Sequence, residues 1–175
     1  MVAELPDLLD RKRHVDLEKS SLEPWLQRAG VVVLAALLVA ALANVFGQKV
    51  ETASATAAAA ELEVEAPSAV RSGLIYEVQF TITAHRALDE PTLVLDSGWF
   101  DGFTINTFSP DTADWVQRDG LNLLSYGPLA AGDVLVVRLQ YQVNPTMVGR
   151  RDQGVALEDG GSPILTLDHD VTVFP

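Results

Sequence analysis

"GLIYEVQFTITA", residues 73–84, is the stretch on which the fold turns. Leu74, Tyr76, Val78, Phe80 and Ile82 recur at every second position, and polar Glu77, Gln79, Thr81 and Thr83 lie between them. Successive side chains of a strand point to opposite faces, so this pattern makes one face apolar and the other wet, which predicts a half-buried β-strand. The same period runs upstream in "ELEVEA", residues 61–66, where Leu62, Val64 and Ala66 alternate with Glu61, Glu63 and Glu65. Downstream it returns in "GDVLVVRLQYQVNP", residues 132–145, with Leu135, Val137, Leu139, Tyr141 and Val143 on one side. "PILTLDHDVTVFP", residues 163–175, reads as a last strand with Leu165, Leu167, Val171 and Val173 together. Shorter candidates occupy 91–100, 103–108, 114–118, 121–126 and 154–158, separated by Gly, Pro, Asp and Asn. After residue 61 no stretch has the period of an amphipathic helix. About seven to nine short strands predict a mostly β protein, an antiparallel immunoglobulin-like β-sandwich over residues 61–175.

The apolar residues are unevenly spread along the 175-residue chain. Residues 29–46, "AGVVVLAALLVAALANVF", carry no charge and one polar side chain, Asn44. As a helix they would span roughly 27 Å, close to the hydrocarbon thickness of a bilayer. Trp25 and Phe46 stand at the two ends, where interfacial aromatics belong. Ser20 with Glu23 three residues on matches a capping box. The expected organisation is therefore a cytoplasmic tail at 1–24, a transmembrane helix at 25–46, a spacer at 47–60 and the β domain at 61–175. An alternative for "GQKVETASATAAAA", residues 47–60, is that its alanine run extends the helix. Arg11, Lys12, Arg13, Lys19 and Arg28 precede the span, while Lys49 alone follows it closely. The positive-inside rule then places the N-terminus in the cytoplasm and the β domain outside the cell. The competing reading is a signal peptide cleaved after Ala43. Ala36, Ala40, Ala43 and Gly47 would form a small-residue stripe that a partner helix could approach closely.

Composition narrows the function classes. The chain has formal charge −12, and its few clustered cations (Arg11, Lys12, Arg13 and the pair Arg150, Arg151) are not interleaved with aromatics, which argues against a nucleic-acid partner. The absence of cysteine excludes disulfides, thiolate catalysis and cysteine metal sites. There is no G-x-S-x-G, no H-E-x-x-H and no phosphate loop, so no catalytic residue, cofactor or small-molecule substrate is indicated.

"GPLAAGDVLVVRLQYQV", residues 127–143, resembles the penultimate strands of bacterial surface immunoglobulin-like modules. More broadly, "NVFGQ", "DGFTIN", "NPTMVGRR" and the terminal "VFP" resemble small uncharacterised actinobacterial single-pass membrane proteins with an extracytoplasmic immunoglobulin-like β domain. The resemblance spans most of residues 25–175 and implies the same anchored architecture. It carries no residue roles with it.

Four local features compete as sites. "LDHDV" puts Asp168 and Asp170 on one strand face and His169 on the other, a conceivable metal or ligand site. Two carboxylates two residues apart stand roughly 7 Å from each other, too far to share an ion unaided, and a hydrogen-bonded histidine among core residues is the plainer reading. Asp96 and Asp101 could be paired as acid and base, but both stand where turn chemistry accounts for an aspartate. Arg150 and Arg151 could clamp a carboxylate of the domain or of a partner. "GWFDGFTINTFSP", residues 98–110, reads as a β-hairpin turning at Asp101-Gly102, with Trp99, Leu95, Leu93 and Phe108 on one face and Val94, Phe100, Phe103 and Ile105 on the other. One of two apolar faces needs a cover, which makes Phe100, Phe103 and Ile105 candidates for partner binding. A second Asp-Gly, Asp119-Gly120, predicts another hairpin. The expected function is a membrane-anchored extracytoplasmic binding or accessory protein of a larger membrane assembly, with the bilayer and a membrane protein as partners. The alternative is a metal- or ligand-dependent sensor or enzyme using Asp168, His169 and Asp170.

Overall fold

The computed structural model describes residues 23–43, 45 and 48–175, in two separate units. The tail before residue 23, the Ser20 half of the expected capping box, Asn44, Phe46 and Gly47 lie outside the described residues. The first unit is the helix α1, Glu23–Leu42. Its 20 residues rise roughly 30 Å, enough to cross a bilayer. Trp25, Leu26, Val31, Val32, Leu34, Leu38 and Val39 are all more than half exposed, so the helix is apolar on every side, as a span facing lipid would be. The Ala43 and Val45 amides donate back to the Val39 and Ala40 carbonyls, closing the last turn.

The second unit is an immunoglobulin-like β-sandwich of twelve strands among the described residues. In chain order they are β1 (Lys49–Thr56), β2 (Ala60–Arg71), β3 (Ile75–Ala84), β4 (Pro91–Leu95), β5 (Phe103–Ser109), β6 (Asp114–Arg118), β7 (Leu121–Ser125), β8 (Val134–Val143), β9 (Gly149–Asp152), β10 (Val155–Asp159), β11 (Ser162–Leu167) and β12 (Asp170–Phe174). The larger sheet runs β5-β8-β3-β2-β12-β9, with β1 also paired to β2; the smaller runs β11-β10-β4-β7-β6. Every pairing is antiparallel except that of β2 with β12, which is parallel over Ala69–Arg71.

The alternation seen in the sequence is the alternation of burial. Tyr76, Val78, Phe80 and Ile82 of β3 face Tyr141, Leu139, Val137 and Leu135 of β8 in direct register. All but Leu135 are buried, and Leu62, Val64 and Ala66 of β2 join them. Leu74 departs from the pattern: it precedes β3 and is exposed.

Three sequence expectations are corrected. The described part of the expected spacer, residues 48–60, is not one: Lys49–Thr56 forms β1, paired with β2 along its whole length, and the alanine run makes the tight turn between them rather than extending the helix. Ala53 and Ala55 pack on the core, but methyl groups give too weak an alternation to announce a strand; the free edge of β2 makes it one. Residues 163–174 are not one strand, because the chain leaves the smaller sheet at Leu167 and enters the larger at Asp170. Nor do residues 91–108 form a hairpin. β4 and β5 belong to different sheets, joined by a 3₁₀ turn at Ser97–Trp99, because Trp99 is drawn into the core between them. The second Asp-Gly does form its hairpin: Arg118 pairs with Leu121 across Asp119 and Gly120, both at positive φ (53° and 81°), the backbone that favours Asp-Gly in a two-residue turn.

If β1 is part of the sandwich, replacing Ala53 and Ala55 together by Asp should destabilise the domain by about 1–2 kcal/mol, since both face the core. The same change at Thr52 and Ser54, which face solvent, should be nearly neutral. Urea denaturation of both variants makes the comparison.

Candidate functional site

Three chain crossings between the sheets meet at Trp99. They are the β4–β5 connection that carries it, the β9–β10 connection at Gln153-Gly154, and the β11–β12 connection at Asp168-His169. Trp99 is fully buried, and its Nε1–H donates to the Gly154 carbonyl at 2.9 Å. Its ring meets Phe80 edge-on at 5.3 Å and lies nearly parallel to the His169 imidazole at 5.9 Å. The Gln153 amide donates to the His169 carbonyl at 2.7 Å, and the buried Gln153 side chain donates to the Gly98 carbonyl. Two glycines make this closeness feasible. A Cβ at Gly98 would lie 1.8 Å from the Asp152 carbonyl oxygen, and one at Gly154 would lie 2.3 Å from the Asp96 carboxylate.

This junction settles where the "LDHDV" side chains go. His169 is half-buried against Trp99, and its Nε2 lies 3.4 Å from the Pro67 carbonyl, which can only accept, so that nitrogen carries the proton. Burial holds the imidazole below its ordinary pKa despite the Pro67 carbonyl and the neighbouring acids. Asp170 is engaged by Arg150, a diagonal ion pair between β12 and β9 that lowers the Asp170 pKa. Asp168 is exposed in the crossing. The three side chains do not converge, and among the described residues no three His, Asp or Glu come together as metal ligands would. Arg150 thus clamps a carboxylate of its own domain.

The aromatic candidates divide. Phe103 is buried by the domain itself, edge-on to Tyr76 at 5.9 Å and to Tyr141 at 6.1 Å. Phe100 and Ile105 are half-buried against the core, with the Phe100 ring 5.9 Å from Trp115. Ala36 and Ala40 lie one turn apart on α1, and Ala43 lies in the turn that ends it. Tyr76, Tyr126 and Tyr141 are buried, and the Tyr126 and Tyr141 hydroxyls have no hydrogen-bond partner in the protein. Burial pushes all three phenols upward, which keeps them neutral and removes them from acid–base chemistry near neutral pH.

The surface that sequence reading missed is the outer face of the smaller sheet. Register places Ala156, Val94, Leu123 and Val116 side by side across β10, β4, β7 and β6. Val94, Leu121, Leu123 and Val116, together with Thr92 and Ser125, floor an open hollow of about 460 Å³, rimmed by Glu90, Asp114, Asp119 and Glu158 with Arg118 among them. The clue was present in "PTLVL", which lacks a charged side chain at every second position: all five residues of β4 are buried, with Val94 beside Thr92 on the outer side. A second hollow of about 440 Å³ brings Asp96, Asp101, Asp119 and Asp152 around Arg150 and Arg151, and it is open and polar.

No family model and no curated protein matches the chain. Among solved structures, a non-cellulosomal cohesin from the hyperthermophilic archaeon Archaeoglobus fulgidus aligns at 15% identity over 62% of this chain and 87% of its own, with a TM-score of 0.40. CaCohA2 from Clostridium acetobutylicum aligns at 13% identity over 72% of this chain and 91% of its own, with a TM-score of 0.41. AvmM, which catalyses macrocyclization in alchivemycin A biosynthesis, aligns at 10% identity over 74% of this chain and 90% of its own, with a TM-score of 0.44.

Two measurements probe the junction. Gly98→Ala should cost about 2–3 kcal/mol in urea denaturation, because the clash is with backbone rather than with a flexible side chain. His169 is favoured neutral in the fold, so its contribution is present above the unfolded imidazole pKa and is lost as pH falls through that value toward the lowered folded one. The melting temperature should therefore drop between about pH 7 and pH 5, and His169→Phe, which keeps a ring against Trp99, should flatten that drop.

Proposed function

We propose that the chain is a single-pass membrane protein whose extracytoplasmic β-sandwich binds another protein, as an accessory subunit of a larger membrane assembly. The observation that carries this reading is the hollow on the smaller sheet: Val94, Val116, Leu121 and Leu123, with Thr92 and Ser125 beside them, inside a rim of four carboxylates and Arg118. An apolar patch with a polar rim is the form of a protein-binding surface. Its acidic rim favours a partner face with an apolar centre flanked by Lys and Arg. The uniformly apolar α1 supports the anchor, and the excess of Lys and Arg before it supports a cytoplasmic N-terminus. The engagement of His169 by Trp99 and Pro67 and of Asp170 by Arg150 favours this reading over a sensor or enzyme built on Asp168, His169 and Asp170.

A photo-crosslinking residue at Leu123 in the full chain, activated in native membranes, should yield an adduct with a second membrane protein. The same residue at Val134, exposed on the other sheet, should not. Recovery of the chain free of protein adducts from both positions would defeat the proposal. Protease added to intact cells should digest the β domain; its protection there would overturn the orientation.

A further inference from the structure

Sheet edges carry unpaired amides and carbonyls, and proteins blunt them with proline, bulges, charges or shortness. Most edges of this sandwich are blunted. β5 has a register shift between Ile105 and Thr107. β11 contains Pro163, with a shift in its pairing to β10. β9 has four residues and carries Arg150 and Arg151 at its centre. β1 presents Ala, Ser and Thr beyond Lys49, Val50 and Glu51.

β6, the last strand of the smaller sheet, is also short and also charged, but its two charges are of opposite sign and stand at its two ends. Its five residues, Asp114–Arg118, pair with β7 without a register shift and contain no Pro, Gly or Lys. All five are exposed, including Trp115 at 48% and Val116 at 38%. Trp115 is stacked on Phe108 of β5 at 6.1 Å on its inner side, which holds the edge in place. Asp114 and Arg118 have no ion-pair partner among the described residues.

The charges are arranged symmetrically about Val116. If β6 meets a second β6 antiparallel with Val116 at the two-fold axis, Val116 faces Val116, Trp115 faces Gln117, and Asp114 faces Arg118 twice over. Asp114, Val116 and Arg118 alternate onto one face, the one that lines the hollow, so both ion pairs flank the central valines there. An antiparallel pair with this self-complementary pattern satisfies the condition for a two-fold interface. The apolar row Val94, Leu123, Val116 then continues into its counterpart in the second copy.

We propose that the protein forms a two-fold dimer by antiparallel pairing of β6 edges, joining two five-stranded sheets into one of ten. This goes beyond the accessory-subunit reading and stands without it, since the occupant of the edge is a second copy of the chain.

The test uses the full chain in detergent and in native membranes. Because the chain lacks cysteine, Val116→Cys alone reports the axis: oxidation should join two chains through that position, whereas Val148→Cys, exposed away from β6, should not join them. Asp114→Arg and Arg118→Asp should each raise the dimer dissociation constant about tenfold in light scattering, because each sets like charges face to face. The combined swap Asp114→Arg with Arg118→Asp should restore the dimer. Circular dichroism confirms that each variant keeps its strands, and the Val116→Cys crosslink needs no charge change. A monomer at every concentration, crosslinks from Val116→Cys to foreign proteins only, or a dimer indifferent to both reversals would overturn the proposal.

Discussion

The sandwich depends on one buried contact, the Trp99 indole N–H donating to the Gly154 carbonyl. Three of the chain's passages between sheets occur beside it, and each brings irregular backbone whose polar groups must be satisfied away from water. Trp99 fills the space between the sheets and answers one carbonyl, Gln153 answers another at Gly98, and the Gln153 amide answers His169. Gly98 and Gly154 allow the strands to approach closely enough for those bonds. The domain has no disulfide, so this packed junction takes the place a cross-link often fills in immunoglobulin-like sandwiches.

That junction also governs the electrostatics nearby. Packing against Trp99 half-buries His169, and that burial lowers its affinity for a proton, while the adjacent Asp170 turns out to Arg150. A motif that reads as two acids around a base is thereby split between core and surface. The large apolar residues of the 98–110 stretch follow the same division, with Phe103 inside, Phe100 and Ile105 at the seam, and Trp115 closing that seam from the other sheet.

The surface left over has a physical origin. β4 lies within the smaller sheet, and its outer side chains, Thr92 and Val94, are buried between their neighbours on β10 and β7. Coverage thins toward β6, where Val116 and Trp115 meet solvent. Apolar exposure therefore increases toward a regular edge that carries opposite charges at its two ends. A sheet edge offers hydrogen bonds and an apolar face offers area; their coincidence on β6 distinguishes it from the other borders of the fold.

Much of the architecture was legible in the sequence because it rests on local periodicity. Period-two alternation in 61–66, 73–84 and 132–145 identified β2, β3 and β8, and the unbroken apolar run identified α1, since a strand face and a lipid-facing helix each impose their own spacing. The Asp119-Gly120 turn was legible because its left-handed backbone selects those residues. Three matters belonged to the tertiary structure. Ala53 and Ala55 became strand only through the free edge of β2. Asp101-Gly102 and Asp168-His169 became crossings between sheets because the burial of Trp99 outweighed the local preference to continue a hairpin or a strand. The apolar row of Val94, Leu123 and Val116 came from three strands that no sequence spacing relates, and register alone brought them together.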